Sequence, residues 1–275
     1  MSYPFLKGHG TENDFVLLPD HDGTVHGDLA VERIVALCDR RAGIGADGVL
    51  RVVRTSVIDP SLASEAEWFM DYRNADGSIA EMCGNGTRVF ARHLIAEGLV
   101  DAGAPIPIAT RAGIKTVAVV GDELVVDIGE PQLLGSSAVS VGDWTWPARH
   151  VDMGNPHAVA FVESLAADGP VGPLSAEPGF DHDVYPHGVN VEFVQRIAEH
   201  HVAMRVHERG SGETRSCGTG ACAVMVTTAD ADGAPRDTAY TVDVPGGRLT
   251  ITWTAANRVL LQGPAEIVAA GTTDL

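Results

Sequence analysis

Lysine is scarce in this 275-residue chain, which contains only Lys7 and Lys115. A pyridoxal phosphate enzyme needs a lysine for its Schiff base within a phosphate-binding setting, and only Lys7, in KGHG, stays a candidate. The chain also has no GxGxxG loop between a strand and a helix, no Walker loop and no HExxH pair. We therefore expect no cofactor and no metal.

Positive charge is also in short supply, with 19 Lys and Arg residues against 37 Asp and Glu and a net charge of -18. Nucleic-acid-binding proteins need a basic stripe, so neither nucleic acid nor an anionic membrane is expected as a partner. No apolar run approaches the roughly 20 residues of a membrane span, and the opening MSYPFLKGHGTENDF does not resemble a secretion signal. We expect a cytoplasmic protein with a solvated acidic surface.

Cysteine is limited to four positions at irregular spacing: Cys38, Cys83, Cys217 and Cys222. This pattern is neither a disulfide framework nor a CxxC metal knuckle. Free cysteines are among the most buried residue types, so each one by itself is best explained by packing. Cys38 and Cys222 keep that interpretation.

Two of the cysteines open related motifs. SCGTGACAVMV contains Cys217, and MCGNGTRVFARHLIAEGLV contains Cys83, 134 residues earlier. Each thiol is followed by Gly, a small polar residue, Gly and a mainly apolar segment. Each segment then precedes a hairpin pattern, VAVVGDELVVDI or YTVDVPGGRLTITW, and Gly246-Gly247 suits a two-residue turn in the second. The repeat predicts two related halves.

The segment after each CGxG motif is apolar on nearly every side, which is typical of a helix buried all round by strands. The first turn of such a helix has free backbone N–H groups and the positive end of the helix dipole, and these favour a carboxylate. Each half thus offers one thiol and one anion cradle. A thiolate and a thiol on opposite faces of one carbon can invert it by removing a proton from one face and delivering one to the other.

The helix dipole alone cannot ionise such a thiol. An unperturbed cysteine has a pKa of about 8.5, and the dipole contributes roughly 0.3–1 kcal/mol, below the ~1.4 kcal/mol that moves a pKa by one unit. Neighbouring groups must supply the rest, and they must hold the two thiols in opposite protonation states.

Several blocks in order complete the pattern: KGHGTENDF, DRRAGIGADG, NADGSIAEMCGNGTRVFARHL, MGNPHAV, GVNVEFV and HERGSGETRSCGTGA. The chain resembles the diaminopimelate epimerase family almost from end to end. The resemblance implies cofactor-independent interconversion of LL-2,6-diaminopimelate and meso-diaminopimelate, in lysine and peptidoglycan precursor synthesis, by a homodimer.

The resemblance also implies an α+β fold of two pseudo-symmetric domains. Each would be a β-barrel-like mixed sheet wrapped around a central helix, with substrate in the cleft between them. The expected boundaries are 1–128, completed by 263–275, and 129–262.

Carried over residue by residue, the resemblance assigns Cys83 and Cys217 as acid and base. Helix amides for the substrate carboxylate would come from Gly84, Asn85, Gly218 and Thr219. Other substrate contacts would be Asn13, Asn74, Asn155, Asn190, Glu208 and Arg209. His157 and Glu208 would adjust the pKa values of the thiols. The family often has a glutamine where this chain has Gly48, so any side-chain contact there is lost.

Other interpretations remain open. The asparagines could cap turns, His157 could be a hydrogen-bonded loop residue, and Glu208 with Arg209 could be a solvated surface pair. A proline or hydroxyproline racemase would also use paired cysteines, although its substrate has one carboxylate and a ring. A phenazine-biosynthesis type isomerase lacks the paired thiols, and a non-catalytic amino-acid-binding module would leave the substrate α-proton in place.

Overall fold

The computed structural model describes residues 2–275. Its helices are α1 Val31–Cys38, α2 Thr55–Ile58, α3 Gly84–Ala96 and α4 Gly218–Asp232, with a 3-10 turn at Pro60–Leu62. The first strands are β1 Tyr3–Gly10, β2 Asn13–Pro19, β3 Gly48–Arg54, β4 Trp68–Asn74, β5 Ile106–Thr110, β6 Gly113–Val120, β7 Glu123–Gly129, β8 Gln132–Val141 and β9 Trp144–Asp152. The others are β10 Pro156–Phe161, β11 Gly179–Phe180, β12 Asn190–Ala198, β13 His201–Glu208, β14 Gly212–Thr214, β15 Ala239–Val244, β16 Gly247–Trp253, β17 Val259–Gly263 and β18 Glu266–Thr273. Among residues 2–275, no helix is both long and apolar enough to cross a membrane.

The described chain forms two compact units. The first takes the chain as far as Val126 together with Gly263–Leu275, and the second is Asp127–Gln262. In the first unit β18, β1 and β2 are antiparallel neighbours, β2 pairs parallel with β3, β3 antiparallel with β4, β4 parallel with β5, and β5, β6 and β7 are antiparallel.

The second unit repeats this order of pairings. Strands β8, β9 and β10 are antiparallel neighbours, β10 pairs parallel with β12, β12 antiparallel with β13, β13 parallel with β15, and β15, β16 and β17 are antiparallel. Helix α3 lies between β4 and β5 in sequence, and α4 between β13 and β15. The α+β fold with two pseudo-symmetric mixed sheets is confirmed.

Each long helix is the centre of its unit. Helix α3 contacts β1 to β6 and β18, and α4 contacts β9, β10, β12, β13, β15 and β16. Val89 and Phe90 of α3, like Val224 and Met225 of α4, are fully buried. Burying an apolar side chain of this size contributes about 1.5–3 kcal/mol, so the uniformly apolar segment after each CGxG motif favours this enclosed position.

The second predicted hairpin is shifted by one residue. Val244 pairs with Gly247, so the two residues of the turn are Pro245 and Gly246, and the predicted Gly246-Gly247 turn is wrong. Proline has no backbone N–H and cannot continue a ladder, so β15 ends before it. The first hairpin joins β6 to β7 as expected.

Candidate functional site

Cys83 immediately precedes α3, the mainly buried helix of the first unit. Its backbone is extended (φ -143°, ψ 122°), and its Sγ accepts a hydrogen bond from the Gly86 N–H at 3.4 Å. The thiol therefore acts as the N-cap of α3. The N–H groups of the first helical turn lie next to the sulfur, where they favour negative charge.

Asn13 and Asn85 fix the surroundings of this thiol. The Cys83 Sγ–H donates to Asn13 Oδ1 at 3.6 Å, and Asn85 Nδ2 donates to the same oxygen at 3.2 Å. Asn13 Nδ2 donates to Asp47 Oδ2 at 2.8 Å, while the buried Arg88 donates to Asn85 Oδ1 at 3.0 Å. Both amides are thus held in one orientation.

Asp47 belongs to a charged cluster behind Asn13. Arg40 bonds to both Asp14 and Asp47 at 2.7 Å, and Lys7 Nζ lies 2.6 Å from Asp14 Oδ2. Burial opposes ionisation of Asp14, but Arg40 and Lys7 outweigh it and lower its pKa to about 2. Lys7, the one candidate for a Schiff base, instead forms an ion pair with Asp14.

Two further predicted positions lie at the β3–β4 edge. Asn74 hydrogen-bonds to Ser78 Oγ at 3.0 Å, within the turn that ends β4. A Cβ at Gly48 would lie 2.6 Å from the Arg73 carbonyl oxygen and 2.7 Å from Cε2 of Tyr72. The Tyr72 ring and the neighbouring strand therefore fill the space that a side chain at position 48 would need.

Cys217 is the counterpart of Cys83 in the second unit. Its backbone is extended (φ -117°, ψ 115°), it caps α4, and its Sγ accepts from the Gly220 N–H at 3.4 Å. The hydroxyl of Thr219 lies 3.6 Å from the sulfur. Burial, followed by the charges of Glu208 and Glu192, raises the pKa of Cys217 well above its usual value.

His157 is enclosed in the second unit with neither ring nitrogen free. Nδ1 lies 2.7 Å from Glu192 Oε1, and Nε2 lies 3.0 Å from Asn155 Oδ1. The family resemblance predicted that His157 and Glu208 adjust the pKa values of the two thiols. The structure joins His157 to a buried carboxylate that had not been predicted, and it hydrogen-bonds Glu208 to the Thr214 hydroxyl.

Asn190 and Arg209 are brought together. The buried Asn190 accepts the Arg209 backbone N–H through Oδ1 at 2.9 Å. The exposed Arg209 side chain donates to the His187 carbonyl at 3.1 Å. Asn190 thus holds the backbone at the end of β13, and the guanidinium reaches solvent.

The other cysteines are enclosed. Cys38 and Cys222 are buried, and burial raises the pKa of Cys38 to about 11. Between residues 2 and 275 none of the four cysteines forms a disulfide, and no cluster of three or more His, Cys, Asp or Glu side chains is able to hold a metal.

Glu192, Asp47 and Arg88 were not identified from the sequence. Glu192 did leave a signal, because a charged residue inside the apolar run VNVEFV must have a buried partner if the run forms an enclosed strand. Asp47 lies in a polar loop pattern, and Arg88 resembles a solvent-facing residue of a helix. The residue type and sequence context of Asp47 and Arg88 therefore do not mark either one as a site residue.

Comparison with known proteins identifies the family. The sequence model described as diaminopimelate epimerase matches residues 5–134 and 149–268. Diaminopimelate epimerase from Streptomyces coelicolor is 56% identical over 98% of this chain and 95% of its own length. The Rhodococcus jostii enzyme of the same name is 48% identical over 98% of this chain and 96% of its own.

Solved structures support the fold. A phenazine biosynthesis protein of the PhzF family from Bacillus anthracis has a TM-score of 0.74 at 17% identity, covering 100% of both chains. A hydroxyproline epimerase from Agrobacterium vitis has a TM-score of 0.70 at 13% identity, covering 99% of this chain and 92% of its own. These identities support the architecture alone, whereas the matches along the sequence establish the relationship. The chain belongs to the diaminopimelate epimerase family.

Proposed function

We propose that this protein is a cofactor-independent diaminopimelate epimerase that interconverts the LL and meso isomers in lysine and peptidoglycan precursor synthesis. One observation carries the proposal. In each unit a cysteine with an extended backbone caps a mainly buried helix, so the chain has two thiols beside two sets of helix N-terminal N–H groups. Packing alone does not require a thiol at both positions.

The proposed reaction uses Cys83 and Cys217 as acid and base on opposite faces of one α-carbon. The thiolate takes the α-proton, and the electron pair of the broken C–H bond stays on the substrate, delocalised toward its carboxylate. The second thiol then donates its proton to the other face. The two sulfurs exchange protonation states, so the same machinery runs in both directions without an oxidant or a reductant.

The two thiols need different resting states for this reaction. The structure favours Cys217 as the protonated one, because burial and the charges of Glu208 and Glu192 raise its pKa. The contacts of Cys83 include the Asn13 amide oxygen and the Gly86 N–H. We infer that Cys217 begins as the acid, and that Cys83 must lose the proton that it donates to Asn13 Oδ1 before it acts as the base.

The helix amides would bind the carboxylate at the reacting carbon. Its oxygens would be held by backbone N–H groups at Gly84, Asn85, Gly218 and Thr219. Such donors stabilise negative charge as it develops and need little reorganisation. The remaining predicted contacts, Asn13, Asn74, Asn155, Asn190, Glu208 and Arg209, supply amide groups and one charge of each sign. A diamino diacid needs both.

Three further expectations belong to the same proposal. The domain boundaries expected from the resemblance are 1–128 with 263–275, and 129–262, within two residues of the division between the compact units. A reducing cytoplasm suits an enzyme whose two catalytic cysteines must stay reduced. A homodimer follows from the family resemblance, and sedimentation at micromolar concentration would test it.

Deuterium exchange tests the proposal directly. Incubation with LL-diaminopimelate in deuterated water should wash out the α-proton NMR signal and produce the meso isomer. Cys83→Ala and Cys217→Ala should each abolish both changes, whereas Cys38→Ala, at a buried thiol outside either helix cap, is the matched control and should retain them. L-Proline in a parallel incubation should keep its α-proton.

Two results would contradict the assignment. A protein that binds diaminopimelate but leaves its α-proton intact would be a binding module. Substantial turnover by either Cys83→Ala or Cys217→Ala would remove the two-thiol mechanism, even if the epimerase activity itself were real.

A further inference from the structure

The two units have different types of side chain at corresponding positions of the parallel strand pairs next to their CGxG motifs. The parallel pair β2–β3 aligns Phe15 with Gly48, and the parallel pair β10–β12 aligns His157 with Asn190. Two residues further along the second strand of each pair are Leu50 and Glu192. The apolar pair Phe15 and Leu50 thus corresponds to the polar pair His157 and Glu192.

Phe15 and Leu50 lie against Gly86, the second glycine of the first CGxG motif, and Glu192 lies against Gly220, the second glycine of the other motif. A Cβ at Gly86 would be 3.4 Å from Leu50 Cδ2 and 3.5 Å from Phe15 Cζ, which is ordinary apolar contact. A Cβ at Gly220 would be only 2.7 Å from Glu192 Oε1. The first turn of α3 therefore packs against apolar side chains, whereas the first turn of α4 packs against the buried carboxyl group of Glu192.

The hydrogen bonds of His157 fix how many protons this pair holds. Asn155 Oδ1 only accepts, so Nε2 of His157 carries a hydrogen. The 2.7 Å contact between Nδ1 and Glu192 Oε1 then requires one more proton between them. The pair is either imidazolium with carboxylate or imidazole with carboxylic acid, and it is neutral as a whole in both cases.

We propose that Glu192 is a positioning residue of this site: it holds the His157 ring in the Nε2–H form, thereby orients the Asn155 amide, and makes the environment of Cys217 unlike that of Cys83. The inference rests on the proposed function, because Asn155 and Cys217 are site residues under that function. Glu192 and His157 are both fully buried, so water cannot replace either partner. Glu192 Oε2 has no hydrogen-bond partner among the described residues, so the contact between Oε1 and His157 Nδ1 is the hydrogen bond that holds the carboxyl group.

The orientation of Asn155 follows from this chain of contacts. Its Oδ1 is taken by His157 Nε2, so its amide N–H groups point away from the ring. Asn155 is half-buried and immediately precedes β10, where its N–H groups can meet a carboxylate of the substrate. Without Glu192, the ring could place its proton on Nδ1, and Asn155 would lose that fixed orientation.

The environment of Cys217 supports the second part of the proposal. The charged groups acting on this thiol are Glu208 at the end of β13 and Glu192 on β12, and the Gly220 N–H and the Thr219 hydroxyl oppose them. Burial raises the pKa of Glu192 itself, while His157 opposes that rise. The first unit has the uncharged Leu50 at the position that corresponds to Glu192.

Alkylation of Cys217 tests the inference without substrate. Glu192→Gln keeps the size and a hydrogen bond to Nδ1 but removes the carboxylate, which is the member of the neutral pair that acts on Cys217. At pH 8 iodoacetamide should modify Cys217 about tenfold faster in Glu192→Gln than in the parent protein, as expected for a fall of one pKa unit. Fragment ions must separate Cys217 from Cys222, which lies in the same tryptic peptide.

Asp243→Asn is the matched control. Asp243 also pairs with a histidine in the second unit, with 2.6 Å between its Oδ2 and His201 Nε2. It is not among the charges that act on Cys217. In the Asp243→Asn variant, the alkylation rate of Cys217 should stay within about twofold of the rate in the parent protein. Equal acceleration in Asp243→Asn and Glu192→Gln would overturn the proposal.

Histidine nitrogen NMR of the unchanged protein provides a test that does not depend on a variant's folding. The His157 signals should show Nε2–H throughout pH 6–9. A ring that exchanges between tautomers as free imidazole does would overturn the inference, as would a folded Glu192→Gln protein alkylated at the parent rate. Both measurements are made without diaminopimelate, so a failed epimerase assay would refute the proposed function and leave this result standing.

Discussion

The second glycine of each CGxG motif gives a matched pair of substitutions, Gly86→Ala and Gly220→Ala. Neither glycine has a positive φ, so alanine is compatible with the backbone at both positions. In a helix, alanine is favoured over glycine by up to about 1 kcal/mol. The neighbours of the new methyl group therefore decide whether each variant gains or loses stability.

The structure predicts opposite outcomes. At Gly86 the nearest atoms to a Cβ are 3.4 Å away, which is ordinary contact, so Gly86→Ala should be neutral or stabilising by as much as ~1 kcal/mol. At Gly220 the methyl group must displace Glu192 Oε1 from 2.7 Å. Overpacking costs about 1–3 kcal/mol and a strained charged hydrogen bond costs about 1.5–3 kcal/mol, so a net loss of about 2 kcal/mol is expected.

Thermal unfolding followed by circular dichroism measures the difference. About 2–3 kcal/mol between the variants corresponds to a gap of roughly 5–10 °C for a chain of this size. Adding Glu192→Gln to Gly220→Ala should recover part of the loss, because a neutral side chain moves at lower cost. If Gly86→Ala unfolds at the same temperature as Gly220→Ala or at a lower one, the described packing behind Cys217 is refuted.

Three further outcomes are expected. Among residues 2–275 neither ring nitrogen of the buried His93 has a hydrogen-bond partner, and burial lowers its pKa from 6.5. The unfolded chain therefore takes up the proton first, and the free energy of unfolding should fall as the pH drops below 6.5. His93→Phe should reduce the difference between the free energies of unfolding that urea titrations give at pH 7 and pH 5. An unchanged difference contradicts this role of His93. Under the proposed function, air oxidation should join Cys83 and Cys217 reversibly with loss of activity, and mass mapping that finds both thiols free in inactive, oxidised protein contradicts it. Arg209→Ala should weaken discrimination at the non-reacting end of the substrate, so a variant that still rejects short amino acids excludes that role.

The sequence alone determined the repeated plan of the molecule. Two CGxG motifs, each followed by an apolar segment and a hairpin pattern, predicted two related halves with enclosed helices, and the structure has α3, α4 and matching strand orders. These features are local in sequence. Apolar residues on every side of a helix, or alternating along a hairpin, indicate burial without any knowledge of what covers them.

Only the tertiary structure decided what lies behind each thiol. His157 and Glu192 are 35 residues apart in sequence, and the parallel pairing of β10 with β12 brings them into contact. Asn13 and Asp47 are 34 residues apart, and they meet because Asn13 begins β2 and Asp47 immediately precedes β3, its parallel neighbour. Parallel strands need a long connection, and the burial of the whole sheet, rather than the residues of either strand, sets which strands become neighbours. The same reason explains Gly48: its type suggested a lost contact, whereas the register of β3 on β4 places the Tyr72 ring and the Arg73 carbonyl where a side chain would have to lie.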